Sequence, residues 1–88
     1  MQYRGRTVVL SLDAIKNLVN LRLPSGMLDE ILLEGTDFRD SKMSKGEVGL
    51  AAVRRGNLLF VKLVPSHAIE VDEEIWIVKH VGIARRGR

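Results

Sequence analysis

Val48-Gly49-Leu50-Ala51-Ala52-Val53 and Leu58-Leu59-Phe60-Val61-Lys62-Leu63-Val64 are two apolar runs joined by Arg54-Arg55-Gly56-Asn57. The joining residues carry a glycine and are few, which is the pattern of a β-hairpin. A third run, Ile75-Trp76-Ile77-Val78, follows Pro65 and the acidic stretch Glu70-Val71-Asp72-Glu73-Glu74. Short links of this kind predict an antiparallel meander of three strands. Apolar residues stand at consecutive positions in these runs, so both faces of the sheet are expected to be at least partly covered.

Upstream of the meander the period changes. Thr7-Val8-Val9-Leu10 reads as a short strand that stops at Ser11, a good N-cap, with Asp13 in the first helical turn. Leu12, Ile15, Leu18, Val19 and Arg22 fall at helical spacing, opposite Asp13, Lys16, Asn17 and Asn20, and predict an amphipathic helix ending near Leu21. Pro24-Ser25-Gly26 interrupts it, and Pro24 or Ser25 can start a second helix. Leu28, Ile31 and Leu32, widened by Met27, form the apolar stripe of that helix, and Gly35 stops it. The connection is short, so the helices are expected to pack as a hairpin. Residues 36 to 47 are polar without a period and read as a loop. The fold class is α+β in the order β-α-α-β-β-β.

Two helices can cover one face of the sheet. The other is left for a dimer mate, a partner peptide, a substrate cleft or the chain's own loop.

The 88 residues suit one domain, 1–88, in which roughly 60 to 65% of the unfolded surface can be buried. Hydrophobic residues make up 45% and charged ones 28%, ordinary globular usage that excludes intrinsic disorder. There is no cysteine, so neither disulfides nor thiolate metal sites support the core. The apolar run near the N-terminus is too short for a signal peptide or membrane span, and a cytoplasmic location with no membrane contact is expected. The net charge of +3 is unevenly spread. Residues 79 to 88 hold four of the 14 cations and none of the 11 acids, leaving the rest of the chain at −1. A basic, flexible tail from about 84 to 88 is expected, suited to a phosphate backbone or an acidic partner, or simply to solubility.

No glycine-rich phosphate loop, HExxH, nucleophile elbow or spaced ligand cluster is present, and no cofactor is implied. Two histidines, His67 and His80, are too few to indicate a metal site. Glu70, Asp72, Glu73 and Glu74 read as a solvated turn or a partner-facing patch. The groups that carry chemistry are His80, Lys62 and Arg85, candidates for catalysis, and Arg54, Arg55, Lys79, Arg86 and Arg88, candidates for nucleic-acid contact. Cations around one histidine are what a metal-independent ribonuclease uses: they stabilise the pentavalent phosphate while the imidazole moves a proton. Strict alternation from Ile75 places Lys79 and His80 on opposite faces.

The succession Ser11-Leu12-Asp13-Ala14, Arg22-Leu23-Pro24, Met27 to Gly35 and Ile75-Trp76-Ile77-Val78-Lys79-His80 resembles the RelE/ParE-like toxin superfamily, in particular its small DUF4258-like members. The likeness spans nearly the whole chain with loose motifs. Such chains usually place a histidine in the first helix just after the serine, where this one has Leu12 and Asp13. The resemblance implies an RNase-like platform whose basic residues engage RNA or the ribosome, or the tail of an antitoxin-like protein. Arg54 or Arg55, Lys62, His80 and Arg85 or Arg86 would be its basic groups. Two expectations follow: a toxin-like RNA-binding protein with metal-independent endoribonuclease activity, or a non-catalytic module that forms a homodimer or binds a partner protein.

Overall fold

The computed structural model describes residues 1–24 and 26–85, and of Arg85 the backbone alone. Its elements are β1 (Gln2–Tyr3), β2 (Arg6–Leu10), α1 (Leu12–Leu21), α2 (Gly26–Glu34), β3 (Thr36–Asp37), β4 (Val48–Arg54), β5 (Asn57–Ala68) and β6 (Glu73–Arg85). They form a six-stranded mixed sheet in the order β1-β2-β6-β5-β4-β3, with both helices on one face. The class is α+β, as the hydrophobic pattern indicates. The three-stranded meander is present as β4, β5 and β6, all antiparallel, while β2 joins it by pairing in parallel with β6. Two short strands, β1 and β3, extend the sheet at its edges. Among the described residues no helix is long and apolar enough to cross a membrane.

Local chemistry accounts for the helix ends. Ser11 Oγ accepts the Ala14 amide at 3.0 Å, the N-cap bond its hydroxyl is suited to make. At the other end Arg22 turns left-handed (φ 56°), which lets its amide and that of Leu23 bond back to Val19 and Leu18. The expected helix hairpin is not formed as such. α1 packs on β6 and β2, and α2 on β4, β5 and β1, so each helix is anchored by the sheet and not by the other helix.

Leu28, Ile31, Leu63, Val61, Val78 and Val81 are fully buried between helices and sheet. Removing a side chain of this kind from water contributes about 1.5 to 3 kcal/mol, so these six carry much of the stability of a chain this short. The polarity of each strand follows from them. Leu50 on β4, Leu59, Val61 and Leu63 on β5, and Trp76 and Val78 on β6 face the helices. Their sequence neighbours face away.

In β6 the alternation is broken once. Lys62 pairs with His80 but Leu63 pairs with Val78, so Lys79 is an extra residue, a β-bulge. Downstream of it the inward positions change from even to odd, and Val81 and Ile83 join the core. The Val81 amide is met by the side chain of Asn17, whose Oδ1 accepts it at 3.0 Å. This bond corrects the reading of α1. Asn17 lies towards the sheet, Ala14 and Leu18 are buried, and Leu12, Ile15 and Val19 are exposed at 76%, 42% and 69%. The small Ala14 side chain allows close approach to the strands, and a buried amide hydrogen at the bulge demands a polar partner.

The bulge also explains why β6 outruns the expected strand. Lys79 and His80 interrupt the apolar run without ending the strand. β5 likewise continues through Pro65 to Ala68, because β4 pairs with it only as far as Leu63. A residue without an amide hydrogen is tolerated where one side of a strand is free.

Asn17→Ala leaves the Val81 amide without its acceptor and is expected to destabilise the fold by about 1 to 3 kcal/mol in denaturant unfolding. Asn20→Ala, on the exposed side of the same helix, should change stability by less than about 0.5 kcal/mol. Equal effects at the two positions would remove Asn17 from its role.

Candidate functional site

The face of the sheet without helices carries Phe60 and Lys62 from β5 and, through the bulge, both Lys79 and His80 from β6. The expectation that Lys79 and His80 point to opposite faces is therefore corrected: the extra residue returns His80 to the side on which Lys79 already stands. These four residues, with Asp40, Lys42 and Glu47 of the loop between β3 and β4, line an open cleft of about 450 Å³. The Phe60 ring lies directly over Gly82, its cross-strand partner, where any side chain would collide with it. The His80 ring stands 5.7 Å from that of Phe60, tilted by 41°.

The polar loop that follows β3 folds onto this face and forms one wall of the cleft. Phe38 stacks on Phe60 with ring centroids 4.8 Å apart, and its amide donates to Gly49 O at 2.9 Å. Gly49 has to be glycine for this, since a Cβ there would run into the Phe38 carbonyl oxygen. Arg39 ties the loop to itself, donating to the main-chain oxygens of Glu47 and Ser44 at 3.1 and 3.0 Å. The helix-free side is thus partly closed by the chain's own loop, and what remains open is the cleft at its margin.

Two carboxylates of the loop meet two lysines of the strands. Lys62 Nζ donates to Asp40 Oδ2 at 2.8 Å, and this bond, with the Lys42 amide on Oδ1, holds the Asp40 carboxyl below its ordinary range. Glu47 is buried beneath the loop. The Ser44 amide and hydroxyl, at 3.0 and 2.8 Å, lower its pKa against the opposing effect of burial, and Lys79 at 3.5 Å adds to the lowering. Three lysines against two acids leave the cleft with a positive balance, and Lys42 has no carboxylate within ion-pair distance among the described residues.

Among the residues the sequence singles out, Lys62, Lys79 and His80 are brought together. Arg54 is not. It lies on the helix side, bound to Glu30 at 3.1 Å and Glu34 at 2.8 Å of α2. Arg55 occupies the β4–β5 turn, away from the cleft. Arg85 lies at the far end of β6, opposite Asn57. The side chain of Arg85, and Arg86 and Arg88 altogether, lie outside the described residues. His67, the second histidine, is at the other end of β5, where its Nδ1 meets Glu74 at 2.6 Å and its Nε2 meets Asp72 at 3.0 Å. The ring bridges the two carboxylates instead of converging with them, and no metal-binding group of three is found among the described residues. Phe38, Asp40, Lys42, Glu47 and Asn17 were not legible as parts of a site. The first four lie in or beside a polar stretch without a period, and Asn17 resembles any exposed helix residue. Comparison with protein-family models, with curated proteins and with solved structures gives no match.

Because Asp40 and Glu47 bind protons more weakly in the folded chain, they favour the closed loop at neutral pH. That contribution is complete above the unfolded carboxylate range, roughly pH 4, and is lost as the pH falls through the lower folded values. Carboxyl-detected NMR titration should find both midpoints below that range. Lys62→Met should raise the midpoint of Asp40 and leave that of Glu47, held chiefly by Ser44, nearly unmoved. An unchanged Asp40 would show that Lys62 is not what perturbs it.

Proposed function

We propose that the cleft binds single-stranded RNA and that His80 serves in its metal-independent cleavage, in a toxin-like protein of RelE-like architecture. One observation carries the reading: the bulge sets Lys79 and His80 side by side, on the same face as Lys62 and Phe60. Lysines spaced over a concave face suit consecutive phosphates, and an aromatic pair beside them suits an unstacked base. The His80 side chain is exposed and makes no hydrogen bond among the described residues, so its imidazole is available to a substrate. In the cleavage step the 2′-oxygen forms a bond to phosphorus while the bond from phosphorus to the 5′-oxygen breaks. The neutral imidazole takes the 2′ proton, and the 5′-oxygen receives one from water. Lys62 and Lys79 stabilise the extra negative charge on the pentavalent phosphate, exchanging Asp40 and Glu47 for its oxygens. Apart from the added edge strands β1 and β3, the succession β2, α1, α2 and the meander β4-β5-β6 follows the order that the RelE-like resemblance implies, and supports that reading.

A second reading, a non-catalytic module that binds an antitoxin-like protein or a second copy, is favoured by the exposed apolar stripe Leu12, Ile15 and Val19 on α1. It shares the architecture and dispenses with His80.

The two readings separate with a fluorescent single-stranded RNA, followed by anisotropy for binding and by gel for cleavage, with and without ribosomes. The wild type is expected to bind with a steep salt dependence. Lys62→Ala with Lys79→Ala should reduce the slope of log K against log salt by about 1.4, or roughly 0.7 per lost cation. His80→Ala should bind like the wild type and fail to cleave. Binding without cleavage in every case leaves an RNA-binding protein without His80 chemistry, and no binding at any salt concentration removes the reading.

A further inference from the structure

The turn between β5 and β6, residues Ile69 to Asp72, presents two aliphatic side chains to water. Ile69 is 86% exposed and Val71 62%. Acids surround them: Glu70, Asp72, Glu73 and Glu74 are all exposed. His67 Nδ1 meets Glu74 and its Nε2 lies 3.0 Å from Asp72, whereas Glu70 and Glu73 have no ion-pair partner among the described residues. The result is an acidic knob with an apolar tip.

At the other end of β5 lies a hollow of about 310 Å³ with the opposite character. Leu23, Met27, Leu59 and Ile83 line it, together with the exposed Arg22 and Arg55. Neither of these arginines has a carboxylate within ion-pair distance among the described residues, whereas Arg54 beside them is held by Glu30 and Glu34. Two free cations around an apolar hollow match two free acids around an apolar tip. Knob and hollow cannot meet within one molecule, because β5 runs from Asn57 at the hollow to Ala68 at the knob, a separation of roughly 35 to 40 Å at about 3.3 Å per residue.

We infer that these two surfaces join successive copies of this chain head to tail, the acidic tip of one seated in the arginine-flanked hollow of the next. Such a contact uses two different patches, so it closes into rings where the rotation between copies allows and otherwise builds open chains with one of each patch unoccupied at the ends. It lies away from the cleft containing His80 and does not depend on what that cleft binds.

Sedimentation velocity at increasing concentration tests the inference. The wild type should form a concentration-dependent series that shrinks as salt is raised. A tip variant, Ile69→Ser with Val71→Ser, and a hollow variant, Arg22→Asn with Arg55→Asp, should each sediment as a monomer. Asn and Asp are chosen because Arg22 and Arg55 have positive φ (56° and 53°), which these residues tolerate. Each variant retains one intact surface, so an equimolar mixture should form 1:1 dimers that grow no further. Circular dichroism checks that the variants are folded, and Glu70→Lys with Glu73→Lys provides an independent tip variant. A wild type that stays monomeric throughout, folded variants that associate like the wild type, or a mixture that stays monomeric would each overturn the head-to-tail contact.

Discussion

A single hydrogen bond between strand and helix, donated by the Val81 amide to Asn17 Oδ1, holds the irregularity on which the rest of the molecule depends. A strand that alternates strictly after Val78 would turn Val81 outward and His80 towards the helices. An imidazole would then have to be accommodated in an aliphatic core, at the cost of burying a polar group without a partner. With one residue inserted, Trp76 and Val78 before the bulge and Val81 and Ile83 after it all reach the core. The polar pair between them is delivered to the far side together. Core continuity and cleft chemistry are two results of the same insertion.

The far side is shaped by what two glycines omit. Gly82 leaves a bare patch of β6 across which the Phe60 ring lies, and Gly49 leaves room for the Phe38 backbone to come down on β4. The aromatic stack that results seats the loop, and its carboxylates then reach Lys62 and Lys79. Part of the sheet's second face is thereby closed by the chain itself. What is left is a cleft in which strand cations and loop anions are interleaved, so that an anionic ligand competes with Asp40 and Glu47 for the same ammonium groups.

The succession β2, α1, α2, β4, β5, β6 was legible, without the two-residue edge strands β1 and β3, the second of which lies in the stretch expected to be a loop, because it rests on strong local signals: the change from helical to strand periodicity at Val48, the Ser11 cap, and the Arg54–Asn57 hairpin. The rotation of α1 was not. Leu12, Ile15 and Val19 outweigh Ala14 in hydrophobicity, yet Ala14 is the residue whose size allows the helix to approach the sheet. The bulge was hidden for a related reason: a period-two pattern with one residue added looks like a strand that has ended. The available sign was that Val81, Gly82 and Ile83 resume the apolar character immediately after Lys79 and His80. Lys62 and His80 were identified from their chemical type alone. Their neighbours Asp40 and Glu47 come from a stretch whose position over the sheet is set by tertiary packing, and local sequence does not encode it.

The parallel pairing of β2 with β6 joins residues far apart in the sequence, Val8 with Trp76 and Leu10 with Val78. Loop-closure entropy must be overcome before such distant segments reward each other, which slows folding relative to helices and hairpins. During synthesis β2 emerges early with only the two-residue β1 beside it, and gains its parallel neighbour once β6 has left the ribosome. The helices and the β4–β5 hairpin can organise in the meantime, but the side of β2 that faces β6 stays unpaired until β6 has been made.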